Sequence, residues 1–162
     1  MTTIRAYDPD IDRGDLWALK TAFETELGEE GDTETAAAYT GKLTDAYRSE
    51  YLSWVARCRA ENPACLQVAA TDDGLGGYVF VLPESLAYIW DGAVLNEIYV
   101  SPDHRGTGVA DDLLEAALGV VAEQSLPMDR IVLDVAPENE RARRFYRRHG
   151  FTELGDLVVR EL

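Results

Sequence analysis

Residues 95–118 read Leu-Asn-Glu-Ile-Tyr-Val-Ser-Pro-Asp-His-Arg-Gly-Thr-Gly-Val-Ala-Asp-Asp-Leu-Leu-Glu-Ala-Ala-Leu. An alternating apolar run ends at Val100, a turn follows around Pro102, and Arg105-Gly106-Thr107-Gly108-Val109-Ala110 opens a stretch of helical apolar periodicity. A strand, a glycine turn and a helix start in that order aim successive backbone N–H groups at one spot. The helix dipole adds about half a positive charge there, and glycines let an anion approach the main chain. The chemistry this suits is the binding of a phosphate or pyrophosphate. Two common carriers fit poorly. A nucleotide triphosphate loop needs Lys and a hydroxyl residue after its second glycine, where Val109 and Ala110 stand. A dinucleotide fingerprint needs a third glycine where Asp111 stands, and 162 residues leave little room for that domain beside a substrate domain.

A second block spans residues 130–151, Arg-Ile-Val-Leu-Asp-Val-Ala-Pro-Glu-Asn-Glu-Arg-Ala-Arg-Arg-Phe-Tyr-Arg-Arg-His-Gly-Phe. Arg105-x-x-Gly108-x-Ala110 behind a strand ending in Val-Ser-Pro resembles the acyl-coenzyme A loop of the GNAT N-acetyltransferase superfamily. Val135, Asn139, Ala142, Phe145, Tyr146, Gly150 and Phe151 resemble, in order and spacing, that family's fifth strand and fourth helix. The likeness is good from Leu95 onwards; residues 1–60 match only in helix content, and that half shapes the acceptor site in the family.

The resemblance implies an acetyl-CoA-dependent N-acyltransferase without a metal. It would move an acetyl group to a primary amine by direct transfer in a ternary complex. The acceptor, a small-molecule amine, a peptide N-terminus or a lysine, is left open. The pantetheine arm of the family's cofactor lies along the fourth strand like an added strand, which here means Ile98, Tyr99 and Val100. The loop Arg105, Gly106, Thr107, Gly108, Val109 and Ala110 would hold the diphosphate, Asn139 the cofactor arm, and the Val100 N–H would polarise the thioester carbonyl. Tyr146 is the candidate catalytic acid, contacting the cofactor: a phenol with a pKa near 10 stays protonated at neutral pH and can protonate a thiolate. The lesser alternative for Tyr146 is a core aromatic beside Phe145. Glu97 is the candidate base, although family members also work through ordered water. Alternation puts Glu97 on the face of Tyr99, opposite Ile98 and Val100, where a salt-bridged strand carboxylate is an equal reading. The rival from another class is a non-catalytic acyl-CoA sensor, and a homodimer is common among similar proteins.

Other chemistry-bearing residues carry less. Cys58 and Cys65 lack a His pair and read as buried reduced thiols. His104 and His149 fit a turn and a helix C-terminus. Trp54, Tyr88 and Trp90 suit either core or an acceptor pocket, and Glu29, Glu30, Asp32 and Glu34 could attract a cationic amine. Arg141, Arg143, Arg144, Arg147 and Arg148 crowd one short helix, where most would pair with carboxylates and one or two could meet phosphates.

Composition bounds the rest. There are 30 acidic against 15 basic side chains, a net charge of −15, and Lys20 and Lys42 are the lysines. Such a surface repels nucleic acid. An acidic, lysine-poor, arginine-using chain suits concentrated salt, where screening removes self-repulsion. The N-terminus lacks a signal-peptide core and no apolar run reaches the roughly 18 residues of a membrane span, so a cytoplasmic protein without a membrane partner is expected.

The elements that must position these residues follow from periodicity. Strands are expected at 3–7, 65–70, 76–82, 86–90, 93–100, 130–135 and 156–161, with helices at about 12–27, 36–60, 108–124 and 139–149. Asp72-Asp73-Gly74 and Asp91-Gly92 read as tight turns. The expectation is one α/β domain of α+β type over residues 1–162: an acyl-CoA N-acyltransferase fold with a mixed, mostly antiparallel central sheet of about six to seven strands and about four flanking helices.

Overall fold

A computed structural model describes residues 1–162. The chain forms two compact units, Met1–Val132 and Leu133–Leu162. The first holds β1 (Thr3–Ala6), α1 (Pro9–Glu29), α2 (Thr33–Gly41), α3 (Asp45–Glu61), β2 (Leu66–Thr71), β3 (Gly74–Val81), β4 (Ala93–Val100), α4 (Val109–Ala122) and β5 (Ile131–Val132). The second holds α5 (Glu140–Arg148) and a C-terminal segment without regular structure.

The sheet has five strands in the order β1-β2-β3-β4-β5, antiparallel except for the parallel β4–β5 pair. It is the mixed, mostly antiparallel sheet flanked by helices that the pattern predicts, with fewer strands. In place of a strand at 86–90 there is a short 3-10 turn, Glu84–Ile89, with Trp90 at its end, because Pro83 fixes an extended entry and its carbonyl accepts from Leu86 N at 2.9 Å. Residues 156–161 alternate like a strand, but Leu157, Val158 and Val159 are exposed and no strand pairs with them. Alternation makes a strand only where a ladder partner is offered.

Five α-helices form where four are expected, because the 36–60 pattern is broken. Gly41 ends α2, and Thr44 caps α3 by accepting from Tyr47 N at 3.2 Å. Asp32 caps α2, and Asp8 caps α1 by accepting from Asp10 N at 3.0 Å. Asp12 lies buried under a two-pronged Arg5 pair at 2.7 and 2.9 Å.

The two sheet faces are filled differently. Gly77 lies opposite Val100, and a side chain on it would start 2.7 Å from the Tyr99 carbonyl and 3.2 Å from Leu113, so α4 packs closely over this face. Val109, Leu113, Leu114 and Ala117 of α4 are buried. On the other face Leu16 and Leu19 of α1 and Tyr51, Val55 and Cys58 of α3 join Val68, Tyr78, Phe80 and Tyr99 in one core. Trp54 packs on that core, against Phe80, whereas Tyr88 and Trp90 are exposed. Cys58 and Cys65 are free and buried, and burial pushes the Cys65 thiol up to about 12.

Candidate active site

The glycine turn has the predicted form. Pro102–His104 make a single 3-10 turn, Gly106 and Gly108 take φ of +74° and +87°, and Gly108 is the N-cap of α4. Nothing lies within 4 Å of a side chain built at either glycine, so it is the left-handed backbone that requires glycine here. No side chain caps α4, and its first backbone bond runs from Asp112 N to the Gly108 carbonyl at 3.0 Å. The N–H groups of Gly106, Thr107, Gly108, Val109 and Ala110 therefore lack an acceptor within the chain. That open cradle of donors fits a phosphate group. The Thr107 hydroxyl turns back to the His104 carbonyl.

Arg105 is placed otherwise than its phosphate assignment requires. Its Nε donates to the Val100 carbonyl at 2.9 Å, and one guanidinium nitrogen meets both Glu26 oxygens at 3.0 and 2.8 Å. The guanidinium also lies over the Tyr99 ring, 5.5 Å from its centre. Arg105 is thus a brace between the end of β4 and α1 rather than a free phosphate ligand.

The backbone of β4 is directed as the added-strand reading needs. Ser101 N donates to Gly76 O at 2.9 Å, so by antiparallel alternation the amides of Tyr99 and Ser101 turn to β3 while those of Ile98 and Val100 turn away. β5 pairs only with Ala93 and Val94, leaving that edge of β4 unpaired by it at Ile98 and Val100. The register also slips between Phe80 and Val81, which face Glu97 and Leu95, so Asn96 forms a bulge. The Val100 N–H thus turns away from β3, and the Val100 carbonyl is taken by Arg105.

Glu97 does not have the setting of a base. It is 7% exposed, and Oε1 accepts from the Tyr51 and Tyr78 hydroxyls, each at 2.8 Å. Oε2 accepts from Lys20 Nζ at 2.9 Å and Asn96 Nδ2 at 3.3 Å. A carboxylate offers about four lone-pair sites, and these donors fill them. The salt-bridged reading holds, and burial beside Glu97 drives both phenols well above their usual range.

From Glu97 the cluster continues into the helices through residues that sequence reasoning had not singled out for the site. Lys20 donates to Glu24 Oε1 at 2.6 Å, and Lys42 reaches Glu24 Oε2 at 2.7 Å. Burial opposes both charges, yet the pairing wins: Lys20 is held above its ordinary value and Glu24 below. Asp12, Leu16, Lys20, Glu24 and Gly28 form one buried stripe of α1 at four-residue spacing. That spacing, and the restriction of lysine to positions 20 and 42, were the signals available in the sequence.

In the second unit Tyr146 and Asn139 belong to α5. Asn139 is its N-cap, its Oδ1 accepting from Ala142 N at 3.1 Å, so the side-chain oxygen is used and the amide nitrogen remains to donate. At the other end Gly150 takes φ of +84°, and the N–H groups of Gly150 and Phe151 bond the carbonyls of Arg147 and Tyr146, each at 3.0 Å. Phe151 thereby lies edge-on to Tyr146 at 5.5 Å. Burial, with the Asp134 charge second, pushes the Tyr146 phenol up to about 12, so it stays protonated. Arg143 pairs with Glu153 at 2.6 Å and Arg147 lies 3.8 Å from Glu140, whereas Arg141 and Arg144 are exposed on α5 without an ion pair.

Comparison with known proteins gives these features a family. A comparison with curated protein sequences found no match. Among solved structures, a GCN5-related N-acetyltransferase from Ralstonia eutropha superposes with a TM-score of 0.71 at 17% identity, over 99% of each chain. The PaiA N-acetyltransferase of Thermoplasma acidophilum, solved in complex with coenzyme A, gives 0.70 at 18% identity over 94% of this chain and 90% of that one. A transcriptional regulator from Bacillus halodurans gives 0.66 at 19% identity over the whole of both. At these identities the likeness shows the fold. The sequence model of the acetyltransferase (GNAT) family matches residues 28–151, which takes in both β4 with its glycine turn and α5, and on that match the chain belongs to the GNAT acetyltransferase family.

Proposed function

We propose that this chain is an N-acetyltransferase that carries an acetyl group from acetyl-CoA to a primary amine by direct transfer in a ternary complex. The observation that carries this reading is the row of N–H groups from Gly106 to Ala110 without an acceptor, at the start of α4 and behind β4, in a GNAT chain. Those donors would hold the diphosphate of acetyl-CoA, and the turned-out amides of Ile98 and Val100 would hold its pantetheine arm. What acetyl-CoA supplies is an activated acyl group, whose bond to sulfur is exchanged for one to nitrogen.

The chain's own part is to position and to move protons. The Val100 N–H polarises the acyl carbonyl. Tyr146 gives its phenolic proton to the departing sulfur and regains one from solvent. The proton lost by the amine leaves through ordered water, since the lone pairs of Glu97 are occupied. Glu97 then acts by fixing Tyr51, Tyr78 and Lys20 beneath β4. Arg141 and Arg144 are the arginines available to further phosphates.

A second reading, an acyl-CoA sensor without catalysis, draws on the fold shared with the Bacillus halodurans transcriptional regulator. A thiol-release assay with acetyl-CoA and a panel of primary amines separates the two. Amine-dependent release of free thiol is expected; tight acetyl-CoA binding with no release from any amine would favour the sensor.

A further inference from the structure

Apart from the glycine turn, the helices of the first unit hold a second feature with its own chemistry. Lys42 follows α2, and its ammonium lies 4.7 Å from the centre of the Tyr39 ring and 5.5 Å from that of Tyr47. It also meets Glu24 Oε2 at 2.7 Å, though not in hydrogen-bonding alignment. Glu24 is 5% exposed, whereas the Lys42 side chain is 38% exposed and Tyr39 and Tyr47 are half-buried, so the cage opens to solvent on the lysine's side. Two ring faces and a buried carboxylate around one cation are the elements that recognise an alkylammonium group.

The cage is built into the helix packing. A side chain on Gly28 would start 2.9 Å from the Tyr39 Cβ and 3.2 Å from the Ala36 Cα, so only glycine lets α2 come this close to α1 and carry Tyr39 to the Lys42 ammonium. From Glu24 a chain of ion pairs runs through Lys20, at 2.6 Å, to Glu97, at 2.9 Å. The cage therefore connects directly to β4 at the residue next to Ile98. In a chain otherwise supplied with arginine, both lysines meet at this one carboxylate. The compact ammonium, not the guanidinium, is what the cage fits.

We propose that Glu24, Tyr39 and Tyr47 form a subsite for a protonated alkylamine, and that Lys42 fills it from within the chain as a stand-in that a ligand displaces. A carboxylate and two ring faces stabilise the charged form of whatever amine they hold, and a charged amine cannot attack a carbonyl. The caged group is thus an anchor rather than the nucleophile. As an acceptor subsite, a role that rests on the proposed function, it selects molecules carrying one ammonium to be held and a second amine to react.

The test measures binding by calorimetry at neutral pH without any acetyl donor, so its outcome is independent of whether acyl transfer occurs. The probes are 1,4-diaminobutane, a short lysine-containing peptide and, as an uncharged control, butan-1-ol. Lys42→Ala empties the cage at a half-exposed position and leaves the Lys20–Glu24–Glu97 pairs in place. At least tenfold tighter binding of diaminobutane or of the peptide to Lys42→Ala than to the native chain is expected, with no heat from butan-1-ol. The tighter of the two ligands identifies a small-molecule or a protein source. Adding Tyr39→Leu to Lys42→Ala should reverse most of the gain. Equal affinity in the native chain and Lys42→Ala, no binding to Lys42→Ala, or indifference to Tyr39→Leu would each overturn the proposal.

Discussion

Two residues considered for proton transfer have very different surroundings. Tyr146 is a phenol pushed up to about 12 by burial, and so stays protonated across the working range. Glu97 is a carboxylate whose lone pairs are spent on Tyr51, Tyr78, Lys20 and Asn96. Opposite variants should therefore behave oppositely. Tyr146→Phe is expected to lower kcat about a hundredfold, the lower range for loss of a general acid, with the KM for acetyl-CoA and the melting temperature little changed. Glu97→Gln should lower the melting temperature, because Lys20 and two buried phenols lose their shared acceptor, while kcat stays within a few-fold. Steady-state kinetics beside thermal melts check both; an intact fold with collapsed turnover in Glu97→Gln would make Glu97 the base after all. The native pH profile follows the same logic. Turnover should rise as the acceptor amine loses its proton and show no alkaline fall below about pH 11, since Tyr146 keeps its proton until then. The type and spacing of Tyr146 and Glu97 were legible in the sequence. That Glu97 would be fully hydrogen-bonded was not, because its donors come from residues 20, 51 and 78, which only the fold brings together.

Elements were legible where a local rule decides them and illegible where a partner does. Asp72-Asp73-Gly74 and the Gly106–Gly108 turn carry their own signals, with Gly74, Gly106 and Gly108 at positive φ as such turns need. The break between α2 and α3 was hidden within a continuous apolar period, although Gly41 and the Thr44 cap are sequence marks of it. Residues 156–161 have strand chemistry without a pairing neighbour. Gly77 is the element-scale residue with the sharpest consequence, because β4 and α4 both close on it. A methyl group there would start 2.7 Å from the Tyr99 carbonyl, a backbone atom that cannot rotate away. Gly77→Ala is therefore expected to destabilise by roughly 1–3 kcal/mol, the usual range for overpacking a core. Chemical denaturation against the native chain measures this; an unchanged midpoint would mean that β4 and α4 are held apart more loosely than described.

For the whole molecule, charge and fold ask for different conditions. A net charge of −15 on 162 residues favours expansion by self-repulsion, which salt screens. Stability should rise between low and molar salt, and a melting curve that is flat or falls with sodium chloride would remove the reading of a chain suited to concentrated salt. The same net charge opposes a polyanion such as coenzyme A, so the proposed binding would have to come from local donors and not from the overall field. The glycine turn supplies them in the first unit, and Arg141 and Arg144 offer positive charge on α5. The C-terminal part of the chain announced this chemistry in its sequence, whereas the ammonium cage arises from α1, α2 and α3, whose surfaces show it only after packing. The claim on which the rest depends is that free backbone donors between Gly106 and Ala110 hold the diphosphate. Calorimetric titration of coenzyme A into the native chain and Gly108→Val, at low and high salt and with melting curves to show that both are folded, tests it most directly. One-to-one binding by the native chain and at least tenfold weaker binding by Gly108→Val are expected, whereas no heat from the native chain, or equal affinity in the two, would contradict the account.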